Sequence, residues 1–341
     1  MSDQESDDEP GGPNWELLSA ELGADALAAL QAHLTDGAPP APRDTSTGSL
    51  GAGAALGDSV PASNAIYKER EYWDARFETE EAYDWLVEAD EGGESPLLDA
   101  LTALIAADDR VLVLGCGNSS LSAALHARGR ARLVSTDFSR VVVRKMRARH
   151  PHMTWLVADM RDLASAPGGD GGDGDDEAAA ARAALGAPHG TGSFDVVLDK
   201  AAMDALLVDE GSVWDPCDEA RAAARETCEE VSRVLRPGGR YVQLSLAQPH
   251  FRRRYLLGED YADDARPPNP PPESDAAGAA EPCGGAAPPV APPPMRGVRD
   301  VAGSVGGFSR SYGWRLQPAR AFGEEGCVSA FLYVAEKHPG S

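Results

Sequence analysis

Five short apolar runs recur along the chain: RVLVL (110–114), RLVST (132–136), MTWLVA (153–158), FDVVLD (194–199) and RYVQLSL (240–246). They are rich in Val and Leu and lack the regular apolar–polar alternation of a strand with one wet face, so they predict strands covered on both sides. Between them lie helical stretches, SSLSAALHARG, SRVVVRKMRARH and CDEARAAARETCEEVSRVL. In the last, Ala220, Ala224, Thr227, Val231 and Val234 share one face. RPGG (236–239) ends that helix, because proline blocks continuation and glycine supplies the turn. Strand–helix–strand order of this kind predicts a parallel sheet with helices on both faces. Near the end, YGWRLQPAR and CVSAFLYVAEK are separated by AFGEEG, which reads as an antiparallel hairpin.

The charge is placed as unevenly as the apolar residues. Segments 1–60, 165–192 and 258–297 carry −10, −4 and −5 of the net −24, so the remainder is only mildly acidic. The two internal segments are rich in Gly, Pro and Ala and bury too little apolar surface to offset the entropy of ordering. They are expected as structureless insertions at 165–192 and 258–297 in a domain running from 64 to 338. Residues 1–63 are expected as an acidic disordered region with one candidate helix at 14–34. No basic footprint exists for a phosphate backbone, which argues against direct nucleic-acid contact. An acidic surface suits a basic protein partner, through steering. No stretch of about 20 apolar residues offers a membrane span. Five cysteines without CxxC or a His/Cys cluster offer neither a disulfide framework nor a zinc site. The acidic, polar start is unlike a signal or transit peptide, and the expected location is the cytoplasm.

The first apolar run enters a glycine turn, VLVLGCGNSSLS (111–122). Gly115 and Gly117 let a ligand approach the backbone near the switch point where open α/β sheets bind their ligands. A dinucleotide fingerprint requires a third glycine where Ser120 stands, which disfavours a nicotinamide cofactor. Asp137 closes the second strand twenty residues past Gly117, placed to hold both hydroxyls of a ribose or to cap a helix, a role open to Ser139. Asp159 closes the third strand, where it takes the exocyclic amine of adenine, with the Met160 backbone at the ring, or serves as a loop carboxylate. Asp199 and Lys200 close the fourth, over the point where a reacting group would sit.

The motifs VLVLGCGNS, VSTDFS, FDVVLDKAAMDAL and EVSRVLRPGGRYV, with EYWDARF and YDWL upstream, resemble the seven-strand class I S-adenosylmethionine-dependent methyltransferases. More narrowly, they are similar to the methyltransferase-like branch that includes the elongation factor 1-alpha lysine methyltransferases. The resemblance covers roughly residues 66–255 plus the terminal hairpin. It implies an α/β, Rossmann-like, doubly wound and mostly parallel seven-stranded sheet with a C-terminal antiparallel hairpin.

For S-adenosyl-L-methionine it implies Gly115 and Gly117 beside the methionine part, Asp137 with Phe138 next to it at the ribose, and Asp159 and Met160 at the adenine. Trp73, Phe77 and Trp85 would form an aromatic lid able to meet a sulfonium through cation–π contact, and Lys200 the pocket floor. Taken without the downstream motifs, the aromatic segment is an amphipathic piece packed on the sheet. Phe77 replaces an expected tyrosine, and Ala201 and Ala202 stand where relatives often carry Gly-Thr.

The implied reaction is methyl transfer to a protein lysine, with an elongation factor 1-alpha type protein as acceptor. Asp199 would orient the amine or relay its proton, or else structure the strand-to-helix turn. DKAA stands where methylases of base amines carry an Asn/Asp-Pro-Pro-aromatic element, and Pro216–Cys217 lies too far downstream to act on a cytosine carbon. A small-molecule methyltransferase and a catalytically silent methyltransferase-like interaction module are the competing readings, and an NAD-dependent oxidoreductase is a distant fourth.

Overall fold

The computed structural model describes residues 64–86, 95–166, 176–186, 192–261, 298–322 and 330–340. The acidic region 1–63, with its candidate helix, and most of the 258–297 segment lie outside them.

Helices α1 (Arg70–Thr79) and α2 (Pro96–Leu104) precede the first strand, β1 (Val111–Leu114). Strands and helices then alternate: α3 (Leu121–Ala127), β2 (Leu133–Asp137), α4 (Arg140–Arg149), β3 (Thr154–Val157), α5 (Asp176–Leu185), β4 (Phe194–Lys200) and α6 (Ala202–Leu206). A two-residue hairpin follows, β5 (Gly211–Ser212) with β6 (Asp215–Pro216), and then α7 (Asp218–Val234), β7 (Leu235–Ser245) and α8 (Pro249–Leu257). Strands β8 (Val298–Asp300), β9 (Gly307–Ser309), β10 (Trp314–Leu316), β11 (Arg320–Phe322) and β12 (Ala330–Lys337) complete the described chain.

The sheet runs in the order β3-β2-β1-β4-β7-β12-β10-β9. Its first five strands are parallel and β12 is antiparallel to β7. The order reverses between β1 and β4, so their carboxyl ends open a crevice at the switch point. Each strand feeds two cores by the two-residue period of the pleat. Val111 and Val113 of β1 join a cluster with α1 to α4, whereas Leu112 and Leu114 join one with α5 to α8. This is the doubly wound arrangement read from the sequence.

Three local features differ from expectation. The 165–192 segment is not structureless throughout, because Asp176–Leu185 forms α5. Its alanines are the strongest helix formers, and Ala181, Ala184 and Leu185 are buried in the second core. RPGG does not stand apart as a turn. Helix α7 stops at Val234 and RPGG already belongs to β7, with a register shift between Phe194 and Val196 on the neighbouring strand that absorbs Pro237 and Gly238, the latter at φ +77°. Among the described residues the sheet counts ten strands, the seven-strand path with short additions at its rim. The first hairpin arm breaks at Pro318, which has no N–H for the ladder, and resumes as β11 on the same edge of β12, while the short β8 and β9 extend the rim. The seven-strand path survives intact within these additions. Among the described residues no helix is long and apolar enough to cross a membrane.

The turn after β4 is strained. Ala201, at the start of α6, sits at φ +66°, where a side chain costs about 1–2 kcal/mol, and its N–H is held by the Leu244 carbonyl at 3.0 Å. Ala201→Gly is expected to raise stability by about 1 kcal/mol, after allowing for the greater entropy of glycine in the unfolded chain. A higher urea midpoint is the expected result, and a lower one would show that the turn relaxes without glycine.

Candidate functional site

The site grows from the turn that ends β1. Gly115 and Gly117 lie at φ +52° and +51°, in the left-handed region that glycine enters without strain. A Cβ on Gly115 would come within 2.5 Å of the Ala202 Cβ, and one on Gly117 would meet Phe77 at 3.6 Å. Shape requires the first, which lets two strand ends close on each other, whereas the second is favoured by its left-handed backbone, since 3.6 Å is ordinary contact with the Phe77 ring.

Asp137 binds this turn to its neighbour. One carboxylate oxygen accepts the Gly117 N–H at 2.9 Å, and the other accepts the Ser139 N–H at 2.9 Å. Ser139, not Asp137, caps α4 by accepting the Val142 N–H. Burial pushes the Asp137 carboxyl up to about 6, against the pull of the two amides. Next to it a pocket of about 270 Å³ is lined by Arg70, Phe138, Val157, Ala158 and Asp159, with the Arg70 guanidinium 5.5 Å above the Phe138 ring. Asp159 stands in its wall, gripped by the Arg161 guanidinium at 2.7 and 3.1 Å. Burial raises this carboxyl, but Arg161 outweighs that and holds it below the usual range. The Met160 side chain packs against the core under α5 to α8, which leaves the expectation for its backbone untouched. A larger cleft of about 630 Å³, bordered by Trp214, Arg225, Tyr255 and Tyr312, lies against α7 and α8 and includes none of these residues. Size therefore does not locate the site.

Above the glycine turn the N-terminal segment forms a roof. Trp73 stacks on Phe77 with centroids 5.5 Å apart, and Trp85 meets Trp73 edge-on at 6.1 Å. A cation of the chain itself already lies against two of these rings. The Arg76 guanidinium lies 5.8, 5.1 and 5.2 Å from the rings of Trp73, Tyr83 and Trp85, donates to the Tyr72 hydroxyl at 3.1 Å and pairs with Glu80 at 2.7 Å.

Polar contacts stitch this roof to the turn. The Asn118 amide donates to a carboxylate oxygen of Glu80 at 3.1 Å, and Asp84 accepts from the hydroxyls of Ser119 and Ser120, the latter at 2.7 Å. Lys200, at the end of β4, reaches up to Asp84 at 2.7 Å and to the Trp85 carbonyl at 3.0 Å. Burial raises the Asp84 carboxyl, but the Lys200 ammonium and the two serines prevail and keep it below the ordinary carboxylate range. Burial lowers the Lys200 ammonium, with Asp84 opposing. Sequence reasoning singled out Trp85 and Lys200 but not Arg76, Glu80, Asp84 or Asn118. The signal lay in YDWL and LGCGNS themselves, whose polar members join one motif to the other.

Asp199 occupies a different place from the acceptor side expected of it. It is fully buried and accepts the Ala202 N–H at the start of α6 at 2.8 Å, the Tyr241 hydroxyl at 3.0 Å and the Gln243 amide at 2.7 Å. Burial raises its carboxyl, and no face of it is open to an incoming amine. The turn-structuring reading of Asp199 is the one the structure supports.

A family profile described as a methyltransferase domain matches residues 111–170, which run from β1 through the glycine turn, β2 and β3. A pocket of about 270 Å³ lined in part by Phe138, a buried carboxylate at the neighbouring Asp137 and a glycine turn that admits no Cβ at Gly115 suit S-adenosylmethionine in charge and shape. Fold and site together define an S-adenosylmethionine-dependent methyltransferase. The chain is 37% identical over 208 residues to the Bos taurus protein EEF1A lysine methyltransferase 4, an alignment covering 59% of this chain and 70% of that protein. The Mus musculus protein of the same name is 34% identical over the same shares. The Mus musculus eEF1A lysine and N-terminal methyltransferase is 34% identical over 198 residues, 56% of this chain and 23% of that much longer protein. The chain belongs to the family these relatives define, the EEF1A lysine methyltransferase branch of the class I methyltransferases.

The Asp84–Lys200 pair is only 14% and 5% exposed, so breaking one side leaves a buried charge without its partner. Asp84→Asn is expected to destabilise by about 2 kcal/mol, and Asp84→Asn with Lys200→Met to recover part of that loss. A double-mutant cycle on urea midpoints measures the coupling, and additive effects would show that the pair is not coupled.

Proposed function

We propose that this chain transfers the methyl group of S-adenosylmethionine to a lysine side chain of an eEF1A-type acceptor. The observation that carries the reading is the 37% identity, spanning 70% of its length, to a relative named for that reaction. One methyltransferase domain, from about residue 64 to 338, would do the work. Cys116, Cys217 and Cys228 are free thiols, which suits a reducing compartment, and the reading places the enzyme in the cytoplasm.

Each oxygen of Asp137 retains acceptor capacity beyond the amide it already binds, and the two take the ribose hydroxyls. Phe138 and Val157, which line the pocket, would hold the adenine with the Met160 backbone, and Asp159 would accept its amine. Gly115 and Gly117 bring the backbone against the methionine portion. When bound, the cofactor supplies an activated methyl group on a sulfonium. Trp73, Phe77 and Trp85 close the roof and exclude water, which makes positioning the main contribution of the protein. A lysine ammonium must lose its proton before it attacks, at a cost of about 4.6 kcal/mol at pH 7 from a pKa of about 10.4. Desolvation under the roof lowers that cost. With Asp199 enclosed, Asp84 is the carboxylate that pairs with Lys200 at the end of β4. Its low pKa suits it to hold Lys200 and orient charge, while the proton leaves to water.

Two measurements test this reading. Tritiated cofactor with purified eEF1A, followed by mass-spectrometric mapping, is expected to yield a methylated lysine, and an unlabelled factor would refute the acceptor. Calorimetry over pH tests Asp137. Its carboxyl is ionised above about 6, and only the ionised form accepts from both ribose hydroxyls. Cofactor affinity is therefore expected to fall about tenfold between pH 7 and pH 5, with Asp137→Asn weak and flat across that range. The ligand-free protein follows the opposite sense, losing stability as pH rises through 6, because its folded carboxyl binds a proton more tightly than the unfolded one.

A further inference from the structure

Trp214 and Leu246 are 68% and 62% exposed, the most exposed large apolar side chains among the described residues. Trp214 lies on the β5–β6 hairpin and packs edge-on against Phe251 at 4.9 Å and against His250 at 5.4 Å, both in the first turn of α8. Only Ala247, Gln248 and Pro249 separate Leu246 from that pair. The hairpin is held from beneath. Arg254 donates to the carbonyls of Val213 at 3.2 Å and Trp214 at 3.0 Å, and Arg221 to the Pro216 carbonyl at 2.8 Å and to Asp215. An indole kept in water on a frame this fixed fits a contact surface better than a mobile loop.

The ridge starts at the reacting end of the sheet. Lys200 pairs in register with Leu244, and Ser245 and the Leu246 N–H both bind Asp204, on the helix that follows Lys200. Its charge also points to a class of partner. Residues 201–220 carry six carboxylates, Asp204, Asp209, Glu210, Asp215, Asp218 and Glu219, and no lysine or arginine. Asp204, Asp209 and Asp215 are matched by Arg252, Lys68 and Arg221, while Asp218 and Glu219 face solvent at the start of α7.

We propose that the ridge formed by Leu246, His250, Phe251 and Trp214 is the surface on which the folded, lysine-bearing acceptor protein docks, its apolar contact anchored by Trp214 and its cationic rim met by Asp218 and Glu219. This rests on the acceptor reading above and adds where that acceptor is held. Aromatic anchors of this kind dominate protein interfaces, and surrounding charges act mainly on encounter.

The test uses the full chain with purified eEF1A. Trp214→Ala is expected to raise KM for the protein acceptor about tenfold or more, with kcat within about twofold and cofactor Kd by calorimetry unchanged. Asp218→Lys with Glu219→Lys is expected to lower kcat/KM several-fold at low salt and to flatten its salt dependence. Because Trp214 is exposed, circular dichroism of the variant should match that of the unaltered protein. An unaltered enzyme that leaves eEF1A unlabelled overturns the acceptor reading and this inference with it. Labelling with an unchanged KM in Trp214→Ala overturns the docking surface alone. So does a dimer lost on Trp214→Ala with KM unchanged, which would assign the ridge to a second copy of this chain.

Discussion

Two strand ends must almost touch, and the rest of the site follows from that contact. Register sets Leu114 of β1 opposite Asp199 of β4, so the turn leaving each strand meets the other. Gly115 lies so near Ala202 that a single added carbon would collide, and Ala201 is held in a left-handed conformation to let the chain pass. Both backbones have given up ordinary conformational freedom at one point. Strain of this sort persists only where surrounding structure over-determines it, and here the network around Asp199 does so by capping α6 from within the core.

The roof is built on a different principle. Its aromatic rings bury apolar area, but its position over the turn is set by directional contacts: Arg76 to Glu80, Glu80 to Asn118, Asp84 to Ser119 and Ser120, and Lys200 to Asp84. An apolar lid alone is free to slide. Asn118 to Ser120 follow directly on Gly117, so the same few residues form the turn and hold its cover, and ordering one orders the other. Arg76, seated among Trp73, Tyr83 and Trp85, adds cation–π contacts that hold those rings to one another.

The pair Asp199 and Lys200 shows how far a linear motif reaches. Read along the chain, both close the fourth strand and both look ready for chemistry. The pleat sends neighbours to opposite faces, so Asp199 falls with Tyr241 and Gln243 on the side of α5 to α8, while Lys200 falls with Leu244 beneath the roof. Because β4 is buried on both sides, its apolar residues carry no alternation from which that choice could be read. The helix α5 is hidden in the sequence for a related reason: its alanines look like low-complexity sequence until a core exists for Ala181, Ala184 and Leu185 to enter.

The sequence alone determined the order of strands and helices, the glycines of the turn, and Asp137 and Asp159 at the ends of β2 and β3, because apolar periodicity and backbone conformation are local properties. It also held the family likeness in its motifs. Tertiary structure decided which carboxylate faces the pocket, what occupies the aromatic faces, and which residues join roof to floor. Contacts such as Asp84 with Lys200, 116 positions apart, exist only once β4 has taken its place beside β1, and no local spacing encodes a distance across the sheet.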